Sequence, residues 1–175
     1  MTQELAKALQ NMTSLRSLTL YFGGWGSSSV LDGCTFKLDT FRCDLSYDES
    51  LRNFLDGQPS LMRLEFLEYN TGQSFEGRLP SLTRVTALFA MLPHLILGRP
   101  VSEVTSIGPP SERDADLSFF TLSTAPIEKL TMELSCLYPK PARLLASIFP
   151  SLTHLTVHKY VSWTLTPTVR CPPFN

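Results

Sequence analysis

The stretch that decides the fold is Gln58-Pro59-Ser60-Leu61-Met62-Arg63-Leu64-Glu65-Phe66, because its parts return along the chain. Pro-Ser-Leu comes back at Pro80-Ser81-Leu82 and Pro150-Ser151-Leu152, each time followed by the same spacing of apolar and variable residues. Working outward, the pattern is an apolar residue, two variable ones, a second apolar, one variable, and a third apolar or small residue. It appears as Leu15-Arg-Ser-Leu18-Thr-Leu20, Leu38-Asp-Thr-Phe41-Arg-Cys43 and Leu82-Thr-Arg-Val85-Thr-Ala87. It continues as Val101-Ser-Glu-Val104-Thr-Ser106, Ile127-Glu-Lys-Leu130-Thr-Met132 and Leu152-Thr-His-Leu155-Thr-Val157. The starts at 15, 38, 61, 82, 101, 127 and 152 are 23, 23, 21, 19, 26 and 25 residues apart.

A short apolar pattern returning about every 20 to 29 residues is the strand signature of leucine-rich repeats. The second and third apolar positions are two apart on a strand and share one side, while the residues between them face the other. Leu18, Phe41, Leu64, Val85, Val104, Leu130 and Leu155 therefore form one apolar column that no single repeat could bury alone. Between strands, Asp48 to Asp56, Leu88 to Ile96, Ala115 to Leu122 and Ala142 to Phe149 have helical spacing, and proline before the next strand stops the return. The expected fold is α/β: a leucine-rich-repeat solenoid of about seven repeats, with a curved parallel sheet and helices or irregular segments on its convex side. Residues 1–13 are expected to form an N-terminal helix and possible cap, 14–158 the array, and 159–175 an irregular tail. Ala87 and Ser106 underfill the second column, and Gly108 to Asp116 reads as an inserted loop. The Asn or Cys usual after the third apolar position is replaced by Gly23, Ser46, Tyr69 and Ser135, so backbone groups there need other partners.

Composition narrows the function. Fifteen Lys and Arg against sixteen Asp and Glu provide no positive excess for phosphate backbones or anionic lipid, so neither nucleic acid nor membrane is an expected partner. Val85 to Gly98 is too short to span a bilayer and contains Pro93, and the N-terminus has no secretory pattern. A cytoplasmic or nuclear location follows as the expectation. Cys34, Cys43, Cys136 and Cys171 have no zinc-like spacing and are read as free thiols.

The segments Phe41-Arg-Cys-Asp-Leu, Tyr47-Asp-Glu-Ser-Leu-Arg-Asn-Phe-Leu-Asp-Gly-Gln-Pro-Ser-Leu, Gly98-Arg-Pro-Val-Ser-Glu-Val and Ser123-Thr-Ala-Pro-Ile-Glu-Lys-Leu carry a family resemblance. Over roughly Met12 to His158 the chain resembles the repeat region of F-box-like leucine-rich-repeat proteins of mushroom-forming fungi. The resemblance implies a substrate-selecting module of a ubiquitin ligase adaptor. The few residues before Leu15 are too short for an F-box, so the ligase adaptor is an expected partner only if an F-box lies upstream of this chain.

Candidate catalytic and metal groups each have a simpler reading. Gly23-Gly24-Trp25-Gly26-Ser27-Ser28-Ser29 lacks the Lys-Ser or Lys-Thr of a phosphate loop and reads as a flexible connector. His154 and His158 share a strand side but have no third ligand, and Cys43 falls at an inward apolar position. Asp44, Asp48, Glu49 and Asp56 read as a solvated face with one helix-capping role. No catalytic residue, cofactor or metal is expected. The expected function is non-catalytic binding of a protein partner on the concave strand face, through Arg42, Asp44, Arg63, Glu65, Leu67, Arg84, Leu88, Glu103, Lys129, His154 and His158. Arg42, Arg63 and Arg84, on consecutive strands, could share a carboxylate or phosphorylated segment, or could simply be neutralised by Asp44 and Glu65. The alternatives are a small α/β enzyme with a polar pocket at the strand ends and a truncated gene product without an independent role.

Overall fold

A computed structural model of the chain describes residues 2–23, 26–67, 77–108, 116–137, 140 and 142–159. Seven strands form one parallel sheet in sequence order: β1 (Ser17–Leu20), β2 (Thr40–Cys43), β3 (Arg63–Phe66), β4 (Arg84–Leu88), β5 (Glu103–Ile107), β6 (Lys129–Glu133) and β7 (His154–His158). The register joins Leu18 to Phe41, then Leu64, Val85, Val104, Leu130 and Leu155, so the apolar column of the sequence is a physical column of the sheet. Beside it, Leu20 pairs with Cys43, Phe66, Ala87 and Ser106 in turn. From β1 to β6 this side is buried, whereas the alternate positions are half or fully exposed, Glu133 excepted.

Connecting segments cover the apolar side. α1 (Thr2–Gln10) precedes β1, and its Leu9 is buried. α2 (Glu49–Asp56) starts where the Asp48 carboxylate accepts from the Leu51 amide at 3.0 Å, the helix-end role expected of a capping aspartate. Its Leu51, Phe54 and Leu55 lie on one face and are buried, and the Phe54 ring meets Phe36 and Phe41 edge-on at 5.8 and 5.5 Å. Between β4 and β5 a 3₁₀ turn (Phe89–Met91) runs into α3 (Leu92–Ile96), which has Pro93 in its first turn, where no amide donor is required. The chain leaves α3 through Gly98 at φ 68°, a conformation that favours glycine. α4 (Leu134–Leu137) and α5 (Ala142–Ile148) link β6 to β7.

Aromatic rings pack in series among the segments that follow β4, β5 and α5. Phe89 meets Phe119 at 5.7 Å, Phe119 stacks on Phe120 at 4.3 Å, and Phe120 meets Phe149 at 5.0 Å. The stack falls in Ser118–Leu122, a 3₁₀ turn where a helix was expected. Adjacent Phe119 and Phe120 are both buried in it. The Asp116 carboxylate further tightens the turn by accepting from the Ser118 amide and hydroxyl at 2.8 and 2.7 Å, and these bonds hold that carboxyl below its usual range.

The strand starts are tied together by a regular backbone ladder. At successive junctions one carbonyl accepts two amides of the next repeat: Arg16 from Asp39 and Thr40, Asp39 from Met62 and Arg63, and Met62 from Thr83 and Arg84. Thr83, Ser102 and Glu128 carbonyls repeat the arrangement toward β5, β6 and β7. Hydroxyls reinforce it, with Ser60 donating to the Leu38 carbonyl, Thr83 to Met62, Ser123 to Val101 and Thr153 to Glu128. Gln58, itself buried, accepts from the Leu38 amide at 2.8 Å and donates to the Phe36 carbonyl at 3.2 Å.

Three expectations change. The connector before β2 is anchored: Ser27 caps a 3₁₀ turn at Ser28–Leu31, and buried Ser28 donates its hydroxyl to Asp48. Leu155 and Val157, expected inside, are 51% and 40% exposed, because β7 ends the sheet order and, among the described residues, has a neighbouring strand only in β6. Glu133, expected outside, is buried, because β6 passes directly into α4 and Ser135 of that helix donates to its carboxylate at 2.9 Å. Cys34 and Cys136 are free thiols that burial pushes up, and Cys43 is buried. Most of the Gly108 to Asp116 insertion, the tail after Lys159, and Cys171 lie outside the described residues.

Candidate functional site

The parallel register sorts the open face of the sheet into rows that run across the strands. One row reads Ser17, Thr40, Arg63, Arg84, Glu103, Lys129 and His154; the next reads Thr19, Arg42, Glu65, Thr86, Thr105, Thr131 and Thr156. Neighbours in a row are one strand spacing apart, ~4.8 Å. The three arginines of the sequence cluster thus separate. Arg63 and Arg84 are paired neighbours in one row, whereas Arg42 lies in the other beside Glu65.

Each carboxylate here has two donors. Glu65 accepts the Tyr21 hydroxyl at 2.6 Å and pairs with Arg42 at 3.5 Å. Glu103 pairs with Arg84 at 2.9 Å and with Lys129 at 2.7 Å. Partial burial and the Glu65 carboxylate together push the Tyr21 phenol up to about 12. No carboxylate among the described residues pairs with Arg63. Like charges in direct register are unfavourable on a sheet surface, so the Arg63–Arg84 step has no stabilising account of its own.

These side chains surround a shallow cavity of about 260 Å³, lined by Arg42, Arg63, Glu65, Arg84, Thr86, Glu103, Thr105, Lys129 and Thr131, with Val85 and Val104 in its floor. The lining holds four cations and two carboxylates. The remaining candidates stand apart. Asp44 has a different task, accepting from the amides of Phe22 at 2.8 Å and Gly23 at 2.7 Å, because it lies just past β2 beside a loop whose donors need acceptors. Leu88 pairs with Ile107 and is half-buried, as is Leu67 just beyond β3; neither lines the cavity. His154 and His158 are exposed on β7, and no group of three or more possible metal ligands occurs among the described residues.

Two features escaped sequence reasoning. Tyr21 reaches Glu65 across 44 positions of sequence, a link visible only once the register is known. Arg99 is buried, donating to the His94 carbonyl at 2.6 Å and to the Gly77 carbonyl, and thereby ties α3 to the segment before β4. Burial pulls its guanidinium below the usual value. The available signal was a basic residue just past a helix end, where carbonyls lack partners.

Compared with protein-family models, curated proteins and solved structures, the chain matches none. No helix among the described residues is long and apolar enough to cross a membrane.

Proposed function

We propose that the chain is a leucine-rich-repeat solenoid that binds a protein partner on the open face of its sheet and does so without catalysis. The observation that supports this most is the Arg63–Arg84 step: two cations in direct register, in a row whose carboxylate is already shared between Arg84 and Lys129. Repeat arrays commonly use the strand face as a broad contact surface, and a seven-strand sheet in sequence order with one polar face has the parts for it. The cavity on that face, at about 260 Å³, lies below the ~300 to 1,000 Å³ usual for small-molecule sites. That volume suits a side chain of another protein better than a free substrate.

On the resemblance to F-box-like repeat proteins, the partner is a ubiquitin-ligase substrate, met in the cytoplasm or nucleus. The test is to change Arg63 and Arg84 together to Ala, measure the melting temperature, and compare captured partners with the parent chain. Intact folding with specific capture lost is the expected result. Unchanged capture of every specific partner contradicts the assignment of this face.

A further inference from the structure

We propose that the Arg63–Arg84 step binds a phosphoserine or phosphothreonine side chain of the partner protein. This rests on the protein-binding reading and adds the chemistry of what is bound. The cavity lining has four cations against two carboxylates, an excess of two positive charges among the described residues. A phosphorylated hydroxyl brings about −1.5 to −2 charges at neutral pH, which balances that excess, whereas one carboxylate would neutralise half of it. The excess is also localised. Glu65 is engaged by Tyr21 and Arg42, and Glu103 by Arg84 and Lys129, so among the described residues Arg63 has no carboxylate of its own. Arg63 and Arg84 stem from strands ~4.8 Å apart, so their side chains can each donate to the oxygens of a single phosphoryl group, the charge-assisted bonding that arginine suits best.

The flanking carboxylates limit what else fits. Glu65 lies in the row beside Arg63 and Arg84, and Glu103 follows Arg84 on the next strand, so anionic groups border the step on both sides. A compact dianion can sit between them. A continuous phosphate backbone would run its next charges onto Glu65 or Glu103, which disfavours nucleic acid. The Thr86 hydroxyl lines the same cavity and is a further donor within its walls.

The test uses the full chain and defined probes. Arginine Nε–H resonances are followed while a glycine-flanked phosphoserine pentapeptide is added at fixed low ionic strength, with its serine and glutamate forms and inorganic sulfate in parallel. The phosphopeptide is expected to shift Arg63 and Arg84 saturably, with the glutamate form about tenfold weaker and the serine form without effect. Arg63→Gln and Arg84→Gln are each expected to weaken binding about tenfold, with melting temperatures within ~2 °C of the parent, and Arg16→Gln to leave it unchanged. An equal response to the glutamate peptide, or no saturable shift at Arg63 and Arg84, overturns the proposal. Equal shifts from sulfate would mark an adventitious ion only, and tighter binding of a short oligonucleotide would assign a different polyanion; either also overturns it. A photo-crosslinker at Thr105 separates this failure from the other, because it still captures a protein if only the phosphate chemistry is wrong, and captures none if the face does not bind protein.

Discussion

Leu64 lies between Phe41 and Val85 in the apolar column and is fully shielded from solvent. Leu64→Asp would place an unpaired carboxylate there at a cost of several kcal/mol, comparable to a total stability of about 5 to 15 kcal/mol. The cooperative melting transition is expected to disappear, and an unchanged transition would contradict the register. Tyr21 makes a different prediction. Its folded value, about 12, exceeds the ordinary 10, so its contribution is fully present below pH 10 and is lost as pH rises through the interval to 12. Urea unfolding of the parent and of Tyr21→Phe should therefore differ at pH 8 and converge toward pH 12. A gap that does not change with pH would remove the Glu65 bond from the account. Leu64 was legible in the sequence because a period of two places it inward whatever its neighbours are. The Tyr21–Glu65 bond was not, since it depends on which residues the register brings side by side.

α2 and the junction before β2 form one mechanical unit, because Asp48 serves both the helix end and the buried Ser28 hydroxyl. Asp48→Ala should lose ~1 kcal/mol from the cap and a further ~1 to 3 kcal/mol from the stranded hydroxyl. Removing the hydroxyl as well, in Ser28→Ala with Asp48→Ala, should recover part of that loss in urea unfolding. A double variant no more stable than Asp48→Ala would show that the two groups do not communicate. The helix itself was readable from Asp48 to Asp56, where an acceptor precedes an apolar stripe of Leu51, Phe54 and Leu55. The Ser118–Leu122 turn was not legible, because the Asp116 carboxylate accepts from the Ser118 amide and hydroxyl, a local closure that apolar spacing does not report. Ser28 was hidden for a related reason: a Gly and Ser run resembles a connector until Asp48, twenty residues later, is brought against it.

At the scale of the whole molecule, the seven-strand order and register followed from one repeated spacing, while the function of the open face depended on charges whose pairing no spacing reveals. Arg42 is neutralised by Glu65, as one of the two sequence readings held for the whole cluster, yet Arg63 is not. The difference arises because Arg42 occupies a row with a carboxylate next to it, whereas Arg63 has Thr40 and Arg84 as its row neighbours. The central claim, that the polar face of the repeat sheet contacts a protein partner, is tested most directly by site-specific photo-crosslinking in cells. One probe replaces Thr105 in the cavity, and a second replaces exposed Ser147 of α5, between β6 and β7. The account predicts a discrete protein adduct from position 105 that disappears when Arg63 and Arg84 are both Ala, and none from position 147. Adducts from position 147 alone, or an adduct at 105 indifferent to the two arginines, would contradict it.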